Sequence, residues 1–252
     1  MSEFYPLDGD PLFTILSISE FIRGDHKREN AATDAAVMRE SLQSLGMKEY
    51  DNVIGNARRI SKQIAIDHID NMANSKEIAK SSMVTIVIST HGTFTRLGQS
   101  LLFSDGQVMS LYELIQPIQR QMFKKPVLIF VQACRARFNE AFADNIAFSD
   151  HEKKMHIIRD SYFMYSSPVG NRAFRPTSKY KPSFFINILA ENLKRFGKSE
   201  DMESIGRRVV TQMADLQPVD VIENNQWTEI PLIPIIEHAT TKSIYFREPI
   251  VR

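Results

Sequence analysis

The stretch Val127-Leu128-Ile129-Phe130-Val131-Gln132-Ala133-Cys134-Arg135-Ala136 decides how this chain reads. Val127 to Val131 is an apolar, β-branched-rich run that predicts a buried strand, with Gln132 at its end. Lys125-Pro126 punctuates its start. Cys134 follows at once and is the only cysteine among 252 residues. A second apolar run, Met83 to Ser89, ends in Thr90-His91-Gly92. A thiol and an imidazole therefore each lie just past the C-terminal end of a strand. Open α/β sheets build their sites at that edge, and the pair suggests Cys–His nucleophilic chemistry.

Outward from these strands, Leu12 to Phe21 reads as a first strand. Met38, Leu42 and Leu45 share a helical face before Gly46, which predicts a helix over 33–45. Ser61 has the character of a helix cap, with Ala65, Ile69 and Met72 on one face behind it. Ser104-Asp105-Gly106 marks a turn. Ser110 and Glu113 have capping-box spacing before Leu114, Ile115 and Ile118, and Pro117 should kink or shorten that helix. Residues 135–160 are polar and charged without a sustained period and read as a long loop. Tyr162 to Ser166 is a short strand. Phe185, Leu189, Leu193 and Phe196 mark a helix that Gly197 ends, and Met202 to Leu216 marks another. Trp227 to Ile236 and Ser243 to Arg247 are the closing strands, the first made irregular or an edge by Pro231 and Pro234. Strands alternate with helices through most of the chain. The fold class is therefore α/β, with a largely parallel sheet and helices on both faces, and both sides of the 135–160 break are expected to share that sheet.

Composition bounds the partners. With 43% hydrophobic and 24% charged residues the chain reads as an ordinary globular protein. A net charge of +1 offers no footprint for nucleic acid or a membrane surface. No apolar run reaches the roughly 18 residues of a membrane span. The N-terminus lacks the layout of a signal peptide, and one cysteine suits a reducing compartment, so a cytoplasmic location is expected. No paired-Cys or H-E-x-x-H spacing supports a metal. No glycine-rich phosphate loop supports a nucleotide, so no cofactor is expected. His151 and His156 read as solvated side chains of the polar loop.

Each candidate has a plainer reading beside it. A free cysteine is most often a buried structural thiol, yet Cys134 follows its strand, and Arg135 and Arg137 stand close enough to favour the thiolate. A lone histidine after a strand is most often a hydrogen-bonded turn residue. Gly92 beside His91 permits a close backbone approach and offers an N–H to a developing oxyanion.

These residues resemble the caspase family. Gln132-Ala133-Cys134-Arg135 is similar to the Q-A-C-[RQG]-G signature, with His91-Gly92 upstream as that family has its histidine. The likeness runs through most of the chain. Ile15 to Phe21 resembles the first caspase strand, and Arg28 with Asp34-Ala35-Ala36-Val37-Met38-Arg39-Glu40 the arginine loop and first helix. Tyr162-Phe163-Met164-Tyr165-Ser166-Ser167 through Phe174-Arg175 resembles the start of the small subunit, and Phe184-Phe185-Ile186-Asn187 its next helix. Ile230-Pro231-Leu232-Ile233 and Ile244-Tyr245-Phe246 look like the last two strands.

The resemblance implies a three-layer fold on about six mostly parallel strands. Within it, residues 1–144 would correspond to the large subunit, 145–160 to the intersubunit linker and 161–252 to the small subunit. It implies a cysteine endopeptidase cutting after aspartate, in apoptosis or related proteolytic signalling, on protein substrates with an exposed Asp. Cys134 would be the nucleophile, His91 the proton donor, and the N–H groups of Gly92 and Cys134 the oxyanion donors. Arg28, Gln132 and Arg175 would hold the substrate carboxylate, a task suited to guanidinium forks. Phe174 would line the next pocket, which Arg172 makes more polar. The family also implies a zymogen cut in its linker, here after Asp144 or Asp150, Asp160 lying too close to a strand. It further implies a homodimer, or a heterodimer with another caspase, through the apolar stretch Ile230–Ile236. Starting almost at the first strand, the chain is expected to lack a long prodomain and to be executioner-like, or an isolated catalytic fragment. Three departures stand out: Ala136 replaces a glycine, at a cost of about 1 kcal/mol where φ > 0 is needed; Thr93 stands where an acid is usual; and the linker lacks an acidic run. They leave a second reading, a catalytically weak homologue that regulates an active caspase by dimerisation.

Overall fold

The computed structural model describes residues 3–22, 27–95, 98–136, 159–174, 181–216, 218–223 and 226–249. Its frame is a six-stranded sheet built from β1 (Leu12–Ser17), β2 (Lys48–Glu49), β3 (Val84–Ser89), β7 (Val127–Gln132), β8 (Ser161–Tyr165) and β11 (Ile235–His238). The spatial order is β11-β8-β7-β3-β1-β2. Every neighbouring pair is parallel except β11 on β8. β1, β3, β7 and β8 are buried along their whole length. Helices cover both faces, which is why these strands read as unbroken apolar runs rather than alternating ones.

Successive residues of each strand serve opposite layers. Val127, Ile129 and Val131 join a core with α3 (Lys62–Ala73), α4 (Lys76–Lys80) and α5 (Leu111–Gln121). Leu128 and Phe130 join a second core with α1 (Ala31–Ser44), α6 (Phe184–Phe196) and α7 (Met202–Ala214). A short helix, α2 (Asn52–Gly55), follows β2. The α/β fold with helices on both sheet faces is thus as the sequence predicts. No helix among the described residues is long and apolar enough to cross a membrane.

Several local expectations give way. The first strand ends at Ser17, not Phe21, because its ladder with β3 ends at the Ser17–Ser89 pair. Beyond it, the N–H groups of Ser19 and Glu20 bond Arg58 O instead. Trp227–Ile236 is not one strand. Gln226–Ile230 (β10) pairs with Val219–Glu223 (β9) in a separate two-stranded sheet, and Ile235–His238 joins the main one. Pro231 and Pro234 have no N–H to give a ladder and fall in the gap between them. Ser243–Arg247 forms no strand; Ser243 makes a single bridge to Phe4. Ser110 stands at the N-cap of α5 without a side-chain cap bond, and α5 continues through Pro117. A small antiparallel sheet, β4 (Gly92–Thr95), β5 (Gly98–Leu102) and β6 (Val108–Ser110), is not among the expected elements, its strands being too short for a sustained apolar run.

The start of β8 is tied to the N-terminal segment. Asp160 takes a positive φ of 66° and is 2% exposed. Its carboxylate accepts from Tyr5 Oη at 2.6 Å and Thr241 Oγ1 at 2.9 Å, and its carbonyl accepts from Val127 N. Burial pushes the Tyr5 phenol up, and the hydrogen bond to Asp160 adds to that.

Candidate functional site

The parallel ladder of β3 and β7 ends at the register pair Ser89–Gln132. Thr90 N donates to Gln132 O at 3.1 Å. His91 and Cys134 each stand two residues beyond that pair, on neighbouring chains that leave the sheet side by side at strand spacing, roughly 5 Å. Cys134 is a free, half-buried thiol. Ala173 N donates to its Sγ at 3.4 Å, and Ala173 O lies 3.9 Å from it. His91 is half-buried, with its ring 5.0 Å from that of Phe21 and its carbonyl accepting from Leu102 N at 2.9 Å.

The chain from Gln132 to Ala136 is fixed at every carbonyl. Beyond Gln132 O, Ala133 O accepts from Ser166 Oγ at 3.4 Å, and Cys134 O from Gln99 Nε2 at 3.2 Å. Arg135 O accepts from Gly170 N at 3.0 Å. Ala136 O accepts twice, from Phe94 N at 3.3 Å and Thr93 Oγ1 at 2.8 Å. Ala136 does not take a positive φ, so the strain attached to its replacing glycine does not arise. Thr93, the second departure, is one of the residues that anchor the loop.

Gly92 is required by space. A Cβ there would lie 2.6 Å from Gln99 Nε2, 2.8 Å from Cys134 O and 3.0 Å from Ala133 Cβ. Real Cβ atoms essentially never show the first two distances, so any side chain would push the β3–β4 turn and the loop after β7 apart.

Ser89 and Gln132, as register partners, project to the same face of the sheet. Arg28 reaches that face: its Nη1 donates to Ser89 Oγ at 3.0 Å and to Ile18 O at 3.4 Å. Gln132 is buried, and its Oε1 has no hydrogen-bond partner among the described residues. A buried acceptor left unpaired is costly, and here it stands beside a guanidinium-bearing wall. Asp34 completes that wall. Its Oδ2 is 3.8 Å from Arg28 Nη2, and it accepts from Ser89 Oγ at 2.9 Å, Ser183 N at 2.6 Å and Ser183 Oγ at 2.8 Å. Burial pushes the Asp34 carboxyl above its ordinary value, against the pull of Arg28 and of the bonds from Ser183 and Ser89.

The structure thus brings Cys134, His91, Gly92, Arg28 and Gln132 to one end of two adjacent strands. Phe174 is half-buried beside the second core, and Arg172 is exposed. Arg175, Asp144 and Asp150 lie outside the described residues. Sequence reasoning does not single out Gln99, Asp34 or Glu237 for the site. Glu237 meets Arg135, the residue after the thiol, at 3.1 Å.

Comparison with known proteins fits this geometry. The family model of the caspase domain matches residues 12–243. The chain is similar to the crystal structure of caspase-1 from Spodoptera frugiperda, with a TM-score of 0.79 at 17% identity over 100% of this chain and 96% of that one. No curated protein sequence matches the chain significantly.

Proposed function

The chain belongs to the caspase family, and from that premise we propose that it is a cysteine endopeptidase cleaving peptide bonds after aspartate. The observation that carries this reading is the convergence on the Ser89–Gln132 pair: the sole thiol and His91 lie two residues beyond it, and Arg28 bonds to it. Cys134 Sγ attacks the carbonyl carbon of the substrate Asp itself, forming a thioester as the bond to the next residue's nitrogen breaks. The N–H groups of Gly92 and Cys134 take up the oxyanion charge, a contribution worth about 10²–10³ in rate per donor. His91 gives a proton to the leaving amine, and water then hydrolyses the thioester. The Asp side chain enters beside Arg28, where Gln132 offers its amide; Arg175 adds the second guanidinium. The role is proteolytic signalling, in apoptosis or a related process, in the cytoplasm.

The active form is a dimer, with a second copy or another caspase, joined through the stretch Ile230–Ile236, whose last two residues open the edge strand β11. The zymogen is cut after Asp144 or Asp150. The second reading, a weak homologue that regulates an active caspase, rests mainly on Ala136, whose φ is not positive.

Purified protein should hydrolyse fluorogenic peptides ending in Asp, and a Cys134→Ala variant should not. Equal hydrolysis after Asp, Asn and Leu would overturn the specificity. Activity surviving in Cys134→Ala would overturn the mechanism.

A further inference from the structure

We propose that Gln99 is a positioning residue for this reaction: it braces the peptide that follows Cys134 and thereby aims the two oxyanion donors. The inference rests on the reading of Cys134 as nucleophile.

Gln99 lies on β5 opposite Phe94 of β4 and is 1% exposed. Its Nε2 donates to Cys134 O at 3.2 Å and to Ser100 O at 3.1 Å. Two carbonyl acceptors on one end of the side chain settle which end is the amide nitrogen. The N–H of Arg135, in the same Cys134–Arg135 peptide, donates to Asn171 O at 2.9 Å. That peptide is therefore held from two sides, by β5 and by the 168–171 turn. Its plane sets the direction of the Cys134 Cα–Cβ bond and of the N–H one peptide earlier.

The reach is possible only because residue 92 is glycine. Gln99 Nε2 occupies space 2.6 Å from where a Cβ of residue 92 would stand. One amide thus contacts both segments that carry the proposed oxyanion donors, the β3–β4 turn and the loop after β7.

Stability alone does not call for glutamine here. Its Oε1 is buried without a partner among the described residues, and such an orphan opposes folding. An apolar side chain of similar length fills the same space without that orphan, at the expense of the bond to Cys134 O. A residue held against such a cost, in contact with the nucleophile's own carbonyl, fits a functional constraint better than a packing one.

Two variants test this. Gln99→Leu removes the donor at every pH. It should lower kcat by roughly 10- to 100-fold with KM changed by less than about twofold, the scale of a small misplacement of reacting groups. Its melting temperature should change little, because the unpaired Oε1 is lost together with the donor. Gln99→Glu donates only while its carboxyl is protonated, and burial raises that carboxyl above the ordinary Glu value of about 4.3. Its kcat should decline with rising pH through a midpoint that the unmodified protein lacks.

A second readout needs no substrate. Cys134 is the only cysteine, so growth on cysteine labelled with ¹³C at the carbonyl gives a single resonance at the braced peptide. In Gln99→Glu that resonance should titrate with the same midpoint as kcat. Unchanged kcat in Gln99→Leu would overturn the proposal, as would a Glu variant whose resonance and kcat follow the unmodified protein across pH. A titrating resonance with no hydrolysis of Asp peptides by the unmodified chain would instead overturn the proteolytic reading, and the positioning role with it.

Discussion

Two arginines flank the ends of β3 and β7, and both are withdrawn from water, Arg28 at 3% exposure and Arg135 at 2%. Their surroundings differ. Arg28 is met by oxygen: Ser89 Oγ, Ile18 O and, more distantly, the buried carboxylate of Asp34. Arg135 is met by rings. Its guanidinium lies 3.9 Å from the centre of Tyr165 and 5.2 Å from that of Phe94. One nitrogen reaches Glu237, while Nε and Nη1 have no hydrogen-bond partner among the described residues. A buried cation needs compensation. Arg28 has a directional network that aims its fork, and Arg135 has π faces that fix its plane and leave two edges unused.

The largest expected effect is at Arg28. Arg28→Ala leaves Asp34 buried without its cation and should cost about 3–5 kcal/mol in urea unfolding. A loss below about 1 kcal/mol would mean that hydrogen bonds, not charge, hold that corner. Next comes Tyr165→Leu, which strips the closer face from Arg135 and should cost about 2 kcal/mol. No loss there would break the claim that rings stand in for acceptors. Glu237→Gln should matter least of the three, at about 0–1 kcal/mol and less at high salt, because that side chain is 33% exposed. A salt-insensitive cost above about 2 kcal/mol would move Arg135 into the same class as Arg28.

The smallest effect is a slope. Burial holds the Asp34 carboxyl above its ordinary 3.8, so the folded state keeps a proton where the unfolded state has lost it. Its contribution to stability is present below the ordinary value and is lost as pH rises through the raised one. On acidification from pH 7 toward 4, the unmodified protein should therefore gain stability relative to Asp34→Asn. The opposite slope would show that the pull of Arg28 outweighs burial.

How much of this is legible in the sequence depends on what each residue does. β3 and β7 read correctly because both faces are covered, and a doubly buried strand writes itself as an apolar run. Ser61 reads correctly because a cap is a local contact, its Oγ accepting from Ile64 N. The β4–β6 sheet is hard to see because its strands are short and divide their residues, Thr93, Phe94 and Gln99 anchoring the Cys134 loop while Leu101 and Leu102 join the core. Cys134 and His91 are visible because strand ends concentrate chemistry. Gln99 is not, since its meaning lies in one carbonyl 35 residues away. Asp34, in the first turn of α1, looks like any acid that favours a helix N-terminus; only the fold shows it buried against Arg28 and Ser183.

The place of β8 has a consequence for assembly. It lies between β7 and β11, and its first turn is fastened to Tyr5 at the other end of the chain. A break in the covalent chain between β7 and β8 would therefore remove no strand from the sheet. It would instead make refolding a second-order reaction between two fragments, with a midpoint that rises with protein concentration by mass action. Dilution, which leaves the unbroken chain untouched, would then suffice to loosen the cut one.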